Sequence, residues 1–404
     1  MHRQESIKER SRVTDLAFGA TAVLLALTAM GCPSTQQAPP KAAIDLVWPL
    51  PPEQPRIRYV GSLASGEDVG KDKGAAAKLS EKLLGVQSSD MAVLAKPYAV
   101  ASDRGERVYV ADSALGTVIV FDYDKKDVRI LGQEGAGQLG KAMGVCVDSQ
   151  GNVYVSDSSS RRVVVFDRDG KYLRALGGTE ILYRPIGVAL DEGRKLLYVA
   201  DSGAHQVAVL ELETGELVRR IGRDENPAQV PTGAADYAWN RGGNDGEFRF
   251  PTSLAVDGQG RVHVMDTMNF RVQIFSPEGK FLRSIGQNGK SLGTFARPKG
   301  VAVDSAGNVY AVDAAFNNVQ IFSADGQLLM FFGSIGTKKG EFWLPAGICI
   351  DKTDKIFVVD QYNKRIQIFQ PLNQEVDNAN KMGSVVSSTN QSPAYVDTGN
   401  KNRS

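Results

Sequence analysis

Histidine and cysteine, which supply most metal-binding and nucleophilic side chains, are few in this sequence and widely separated. The 404 residues contain three of each. They are His2, His205, His263, Cys32, Cys146 and Cys349. No Cys-x-x-Cys pair is present that would suit zinc, and no Cys-x-x-Cys-His that would attach haem. A serine–histidine–aspartate set is not recognisable either. We therefore expect no catalytic residues, no metal and no cofactor.

Six aspartates recur at nearly even spacing, each at the end of a short apolar run. They are Asp112, Asp157, Asp201, Asp266, Asp313 and Asp360. Six carboxylates arranged about an axis could hold a cation. A carboxylate at a strand end also accepts backbone N–H groups and fixes the following turn. We favour this structural role, because a residue that recurs in every copy of a repeat serves the fold of that copy.

An arginine stands five residues after this aspartate in three of the six copies. The three are Arg162, Arg271 and Arg365, whereas the other copies have Thr117, Gln206 and Asn318. Guanidinium groups bind carboxylates in a bidentate manner. Aspartate–arginine staples between turns are the interpretation we favour. The alternative is an anion-binding or carboxylate-binding arrangement near the axis.

Aromatic residues in an insertion over 223–250 are further binding candidates. Tyr237 and Trp239 stand there among Pro, Gly, Asn and Asp. Long loops on a rigid scaffold often carry binding sites, and exposed Tyr or Trp makes a good anchor. An ordered cover that packs Trp239 against the scaffold is an equally good interpretation.

An internal repeat over residues 97–369 must position these side chains. One copy reads Pro298-Lys299-Gly300-Val301-Ala302-Val303-Asp304, followed by Gly307 to Asp313 and Val319 to Phe322. Runs of Val, Ile, Phe and Tyr alternate with Asp-Gly or Gly-Asn turns, which predicts four short strands per copy. So small a sheet cannot bury both faces alone, and the copies must stack around an axis. The sequence predicts an all-β fold, a six-bladed β-propeller.

The repeat resembles the NHL repeat, on the segment Val264-Met265-Asp266-Thr267-Met268-Asn269-Phe270-Arg271-Val272-Gln273-Ile274-Phe275. The resemblance covers about two thirds of the chain and implies the fold, but it says little about function. Peptidylglycine amidating lyase is distantly similar and holds a catalytic zinc on three histidines. His205 stands where that family has one of these ligands, while the other two positions hold Ala315 and the Thr252/Ser253 region. Because catalytic zinc normally keeps three protein ligands, we expect no zinc here and keep His205 as a candidate ligand-binding residue.

Three other residues have structural interpretations. His263 stands where most copies have Tyr or another large residue, so we interpret it as a packing substitution. Cys146 and Cys349 occupy one position of the repeat in the second and sixth copies. Because those blades are not neighbours, we expect no disulfide, only small buried side chains.

The sixth copy stops at Phe369 without a fourth strand, and Ile57-Arg58-Tyr59-Val60-Gly61 matches the missing strand. We expect this segment to close the last blade and hide its open edge. Helix-forming residues over 74–86 predict a short helix. The predicted organisation is a signal peptide over 1–31, a tether over 32–55, the closing strand over 56–62, a linker with the helix over 63–96, the propeller over 97–370 and a disordered tail over 371–404.

The first residues form a targeting signal. Leu16 to Met30 is an apolar run typical of a signal-peptide core and too short for a permanent span. Ala29-Met30-Gly31-Cys32 resembles the bacterial lipobox, which implies a lipid on Cys32 and a place in the cell envelope. Pro33, instead of a retention aspartate, points to the outer membrane. A plain signal peptide with an incidental cysteine is the alternative.

Charge and composition limit the possible partners. The formal net charge is +1, and 43 basic and 43 acidic residues remain once residues 1–31 are removed. Nucleic acids are held by clustered Lys and Arg, whereas the charges here are interleaved, so we expect no nucleic-acid partner. We expect a monomeric, lipid-anchored binding or scaffolding propeller that engages a protein, peptide or glycan. The alternative is a metal-dependent lyase or lactonase with a divergent channel site.

Overall fold

The computed structural model describes residues 46–70, 93–103, 106–222 and 241–372, and these ranges are built of β-strands, with three short 3₁₀ turns at Gly66–Val69, Gly135–Gly137 and Thr267–Asn269. No helix in them is long and apolar enough to cross a membrane. The strands are β1 Val47–Trp48, β2 Ile57–Leu63, β3 Pro97–Asp103, β4 Arg107–Asp112, β5 Thr117–Asp122, β6 Asp127–Leu131, β7 Ala142–Val147, β8 Val153–Asp157, β9 Arg162–Phe166, β10 Tyr172–Gly177, β11 Pro185–Asp191, β12 Leu196–Asp201, β13 Gln206–Glu211, β14 Leu217–Ile221, β15 Pro251–Val256, β16 Val262–Asp266, β17 Arg271–Phe275, β18 Phe281–Ile285, β19 Pro298–Val303, β20 Val309–Asp313, β21 Asn318–Phe322, β22 Leu328–Phe332, β23 Ile348–Ile350, β24 Ile356–Asp360 and β25 Arg365–Pro371.

Six antiparallel sheets form the blades of a propeller. Blades one to five are β3–β6, β7–β10, β11–β14, β15–β18 and β19–β22, each a meander in chain order. Blade six combines the first two described strands with the last three, in the order β1-β2-β25-β24-β23. In its ladder Ile57 pairs with Pro371 and Leu63 with Ile366. The predicted six-bladed fold and its closure by an N-terminal strand are confirmed.

The predicted tether over 32–55 was too long at its C-terminal end. Val47–Trp48 forms β1, a fifth strand on the outer edge of blade six. The Trp48 ring lies 5.6 Å from that of Phe369 and 6.0 Å from that of Phe332, measured between centroids. The half-buried Trp48 side chain packs between blades five and six and holds the segment there. Residues 32–45, the predicted helix over 74–86 and the tail from residue 373 lie outside the described residues.

The predicted insertion over 223–250 was also too long. Residues 241–250 form the same connection that leads into blades five and six, with parallel bridges between Arg241 and Phe248, Asn288 and Phe295, and Ile335 and Phe342. The three phenylalanines are fully buried. A recurring Gly-x-Phe, beginning at Gly246, Gly293 and Gly340, marks this connection in the sequence. Residues 223–240, which include Tyr237 and Trp239, lie outside the described residues.

The core consists of six apolar clusters, each shared by two neighbouring blades. In β5, Val118 and Val120 pack towards blade two, whereas Ile119 and Phe121 pack towards blade six. Successive side chains of a strand point to opposite faces of its sheet. Because both faces meet another blade, the middle strands are continuous apolar runs rather than alternating ones.

The innermost strands β3, β7, β11, β15, β19 and β23 surround an axial channel. We call the end where these strands begin the loop face; it carries the interblade connections and the turns after the six aspartates that close the second strands. The opposite end, where they finish, is the turn face. Glycines near the loop face bring the inner strands close together, since a Cβ on Gly300 would lie 2.7 Å from the Ala346 carbonyl oxygen and one on Gly347 would lie 2.6 Å from that of Tyr98.

Candidate functional site

The channel has two unequal mouths. At the turn face, residues from all six inner strands line a cavity of about 460 Å³. At the loop face, the close approach of the inner strands leaves a cavity of about 60 Å³, lined in part by Tyr98, Thr252 and Lys299. A ligand site on the axis must therefore lie at one of these two mouths, which differ in size.

The six aspartates that close the second strands are fully buried and hold the backbone of their own blade. Asp112 accepts N–H bonds from Ala95 and Lys96 at 2.7 and 2.8 Å, just before blade one, and from Ala114 and Leu115 in the next turn. Asp157 and Asp313 do the same in blades two and five. In blade three, Asp201 accepts from Tyr183 and Arg184. These carboxylates thus hold the backbone on both sides of the blade's first two strands.

Two of the three predicted arginines form staples. Arg271 donates from Nε to Asp266 at 3.0 Å and from a terminal nitrogen to the carbonyls of Asn244 and Glu247 at 2.6 and 3.0 Å. In blade six, Arg365 repeats this geometry on Asp360 at 2.7 Å. Each arginine thereby ties the third strand of a blade to the connection that enters the same blade.

Arg162 departs from the pattern. It donates to the Gln138 carbonyl at 2.9 Å, and no salt bridge links it to Asp157 in the described ranges. Since Arg162, Arg271 and Arg365 each stand on the third strand of a different blade, the structure does not bring them together at the axis. They do not form the axial anion site that was the alternative interpretation.

His205 lies in the turn that precedes β13 and is buried. Its Nδ1 accepts the Phe250 N–H at 3.1 Å, and its ring packs edge-on against the Phe250 ring at 4.4 Å. Burial, together with Arg241, Arg184 and Arg249 in that order, lowers the pKa of His205 to about 4. The residues around it do not fit a zinc centre, because three cations repel a metal ion and one ring nitrogen is already occupied.

No group of three or more His, Cys, Asp or Glu side chains in the described parts of the chain is arranged to hold a metal ion. Thr252, at one of the expected zinc positions, is instead hydrogen-bonded to Thr267 at 2.6 Å and to the Lys299 carbonyl at 3.0 Å. The zinc arrangement of the lyase family therefore has no counterpart in these residues.

The aspartates at the turn face also serve turns. Asp103, Asp148 and Asp304 each accept a hydrogen bond from a tyrosine of the next strand, at 3.1, 3.3 and 3.1 Å. In blade four, His263 replaces that tyrosine and its Nε2 lies 3.1 Å from Asp257 Oδ2. His263 is thus a hydrogen-bonding substitute as well as a packing residue.

The turn-face mouth is acidic. Asp103, Asp148, Asp351, Glu106 and Glu192 line it, with Arg168 and Lys352 as the basic residues of the lining. Some of this charge is already used, because Arg168 pairs with Glu106 at 3.1 Å and the Ser149 N–H donates to Glu192 at 2.9 Å.

Cys146 and Cys349 also line the turn-face mouth and are free thiols. Burial raises the pKa of both, that of Cys349 to about 12. Nucleophilic chemistry needs the thiolate, so these residues are suited to packing rather than reaction.

The loop-face mouth is basic, which the search for catalytic motifs missed. The residue immediately before the innermost strand is Lys96, Lys141, Arg184, Phe250 or Arg297 in blades one to five. In blade six the equivalent residue is Leu344, which precedes Pro345. Four of these six are cations, and Lys299 adds a fifth at the second residue of β19. Aligning the copies at this position, as for the aspartates, would have revealed the cations.

Exposed aromatic residues lie on the same face. Trp343 and Tyr362 are 46% and 56% exposed, and their ring centroids are 5.7 Å apart with the planes inclined by 33°. Both are anchored to the backbone of blade six, since the Trp343 N–H donates to Asp360 at 2.8 Å and the Tyr362 N–H to the Trp343 carbonyl at 3.1 Å.

The segment Gly289-Lys290-Ser291-Leu292-Gly293 has the Gly-x-Ser-x-Gly spacing of a nucleophile elbow. That motif needs a strand-to-helix turn, whereas this segment lies in the connection before blade five. The Ser291 carbonyl accepts the Thr294 hydroxyl at 2.6 Å, and no described histidine is hydrogen-bonded to Ser291. The spacing is therefore a property of a glycine-rich loop.

The fold and the axial channel define a six-bladed β-propeller of repeated four-stranded units. Comparison with protein families agrees. The model of the NHL repeat matches residues 182–210 and 342–369, and the model described as SMP-30/Gluconolactonase/LRE-like region matches residues 58–177. The chain is a six-bladed β-propeller in which two segments match the NHL repeat.

Curated relatives match over a short stretch. NHL repeat-containing protein 2 of Gallus gallus is 31% identical over 102 residues, which cover 25% of this chain and 13% of the relative. The protein of the same name from Bos taurus is 31% identical over 24% of this chain and 12% of its own length. The matched region of this chain therefore spans about an eighth of the length of these relatives.

Solved structures share the fold. A protein of unknown function from Bacteroides thetaiotaomicron aligns with a TM-score of 0.54 at 19% identity, over 69% of this chain and 70% of that one. An auxiliary nutrient binding protein from the same organism gives 0.52 at 13%, over 69% and 70%. A gluconolactonase from Xanthomonas campestris gives 0.51 at 15%, over 69% and 87%. At these identities the likeness concerns the fold alone.

Proposed function

We propose that this protein is a non-catalytic binding or scaffolding propeller of the bacterial cell envelope, which engages a protein, peptide or glycan partner through its loop face. The observation that carries the proposal is the exposed pair Trp343 and Tyr362. Aromatic residues are enriched where proteins meet their partners, and Trp and Tyr supply much of the binding energy there. Two such rings held side by side in solvent form a ready anchor.

Rigidity of the loop face supports the same function. Asp360 fixes Trp343 from below and also accepts hydrogen bonds from Asn363, Arg365 and Gln367. Gln367 in turn donates to the Glu341 carbonyl at 2.6 Å. A surface that is already ordered loses little conformational entropy when a partner binds, so more of the contact energy appears as affinity.

The location is part of the proposal. Lipid attachment at Cys32, with sorting to the outer membrane, would keep the propeller at the envelope. Several acyl chains on this cysteine would exceed the two signals that stable membrane anchoring requires. Replacing Cys32 with alanine should move the protein from the membrane fraction to the soluble fraction of the exporting cells.

Site-specific photo-crosslinking in the producing cells tests the binding face. A benzoylphenylalanine at position 362 should give a discrete crosslinked species that disappears when Trp343→Ala is added. The matched control places the probe at Lys352, which lines the turn-face mouth, and should give no such species. Equal crosslinking from both faces, or none from position 362, would overturn the proposal.

A metal-dependent lyase or lactonase is the second candidate, favoured by the match of residues 58–177 to the SMP-30/gluconolactonase-like model. It requires a metal bound to the purified protein. Mass spectrometry of protein prepared without chelator should find less than about one tenth of an equivalent of zinc or calcium if the binding proposal is correct. A stoichiometric metal would make the enzyme the better account.

A further inference from the structure

We propose that the loop-face mouth of the channel binds a carboxylate group of an acidic peptide, held by Lys299 together with Lys96 and Arg297. The inference rests on the proposed function and makes its partner specific: a polypeptide segment or C-terminus that carries negative charge.

Convergence of the cations follows from the topology. Lys96, Lys141, Arg184 and Arg297 occupy equivalent positions at the entry to four innermost strands, so the propeller's pseudo-symmetry arranges them around the axis. These four side chains belong to exposed residues, and Lys299 is half-buried in the mouth itself. Blade six has Ala346 at the position equivalent to Lys299 and so adds no charge there.

The five cations have no acidic partner in the described part of the chain. None of them forms a salt bridge there, and the nearest repeating carboxylates are saturated. Asp313, below Arg297, accepts N–H groups from Ala296, Arg297, Ala315 and Phe316 at 2.8 to 3.2 Å. Burial, then Arg297 and Lys96, lowers the pKa of Lys299. Positive charges that repel one another in a partly desolvated mouth are stabilised by a bound anion.

Size and surroundings select the anion. A cavity of about 60 Å³ has room for roughly two water molecules, which suits the two oxygens of a carboxylate but not a sugar or a base. Phe250 and Leu344 fill the two remaining entry positions, and Trp343 stands one residue before Leu344. Apolar side chains beside a small cationic mouth suit a peptide, whose side chains alternate in polarity, better than a uniform polyanion.

Isothermal titration of the full chain in detergent tests the inference. The probe is a hexapeptide of alternating leucine and glutamate with a free C-terminus, and inorganic phosphate is the second probe. A lost charge-assisted contact typically weakens binding by about tenfold or more, and we expect Lys299→Gln to weaken peptide binding at least fivefold. Lys299→Arg should retain it. Lys352→Gln, at the turn-face mouth, is the matched control and should change nothing.

Three outcomes would overturn the inference: no peptide binding to the wild-type chain, a loss below fivefold in Lys299→Gln, or equal loss in Lys352→Gln. Phosphate that binds as tightly as the peptide and displaces it would show a general oxyanion site rather than a peptide site. Crosslinking from position 362 separates the two proposals. If it persists while Lys299→Gln binds the peptide normally, the carboxylate site fails and the binding face stands.

Discussion

The two mouths of the channel are made by the same repeat, yet they differ in size and sign. The turn-face mouth is wide and acidic, and its aspartates serve the hairpins that bear them. The loop-face mouth is narrow and basic, with cations at positions where the copies also tolerate Phe250 and Leu344. Residues common to all copies maintain the blade, whereas positions at which the copies differ are free to recognise a ligand.

The largest expected effect concerns the aspartates at the two ends. Asp360→Ala leaves the Arg365 guanidinium without its buried partner, and we expect the free energy of unfolding to fall by about 3–5 kcal/mol. Asp148→Ala at the turn face removes bonds that water can partly replace, and should cost about 1–3 kcal/mol. Urea unfolding of both variants measures the difference. Equal losses would mean that the aspartates at the two faces contribute equally to stability.

Titration of His205 should make the stability of the folded chain depend on pH. The pKa of His205 is about 4 in the folded chain and near 6.5 when unfolded, so the unfolded state binds the extra proton between these values. Stability should therefore fall as the pH drops from 6.5 to 4, by at most about 3 kcal/mol. In His205→Gln this contribution should be absent. A wild-type pH profile in His205→Gln would contradict this account.

Arginines on the third strands should differ by a smaller amount in their contribution to stability. Arg271→Ala leaves Asp266 without its charged partner and removes one donor from each of the Asn244 and Glu247 carbonyls, and we expect a loss of about 2–3 kcal/mol. Arg162→Ala removes only two hydrogen bonds to carbonyls, both near the surface, and should cost less than about 1 kcal/mol. Thermal unfolding of the two variants provides the measurement. A larger loss in Arg162→Ala would show that it has a partner other than these carbonyls.

The two cysteine thiols at the turn-face mouth should react slowly with maleimide. Because burial raises the pKa of Cys146 and Cys349, both stay protonated at pH 8. Maleimide labelling should be slow in the folded chain and rapid in urea. Fast labelling of the folded chain would reveal a reactive mouth, and a Cys349→Ala variant would identify which thiol reacts.

The sequence predicts the fold well because its signals are local. Strand runs and Asp-Gly turns each define an element without reference to distant residues. The repeat then identifies Ile57 to Gly61 as the strand that the sixth copy lacks. The six aspartates were also interpretable, since a strand-end carboxylate has an immediate backbone role.

Other features depend on the arrangement of blades and could not be predicted as readily. β1 forms because Trp48 reaches Phe332 and Phe369, which are distant in sequence. Arg162 has the same spacing as Arg271, but its blade is entered through a different connection, so the staple is absent. The cations at the loop face meet only through the pseudo-symmetry of the ring.

Anomalous diffraction from a crystal soaked in bromide would test most directly the central claim that the two mouths carry opposite charge and that only the loop face accepts an anion. We predict a strong bromide peak beside Lys299, Lys96 or Arg297 and none in the acidic cavity lined by Asp103, Asp148 and Asp351. Bromide of equal strength at both mouths, or only at the turn face, would contradict the account.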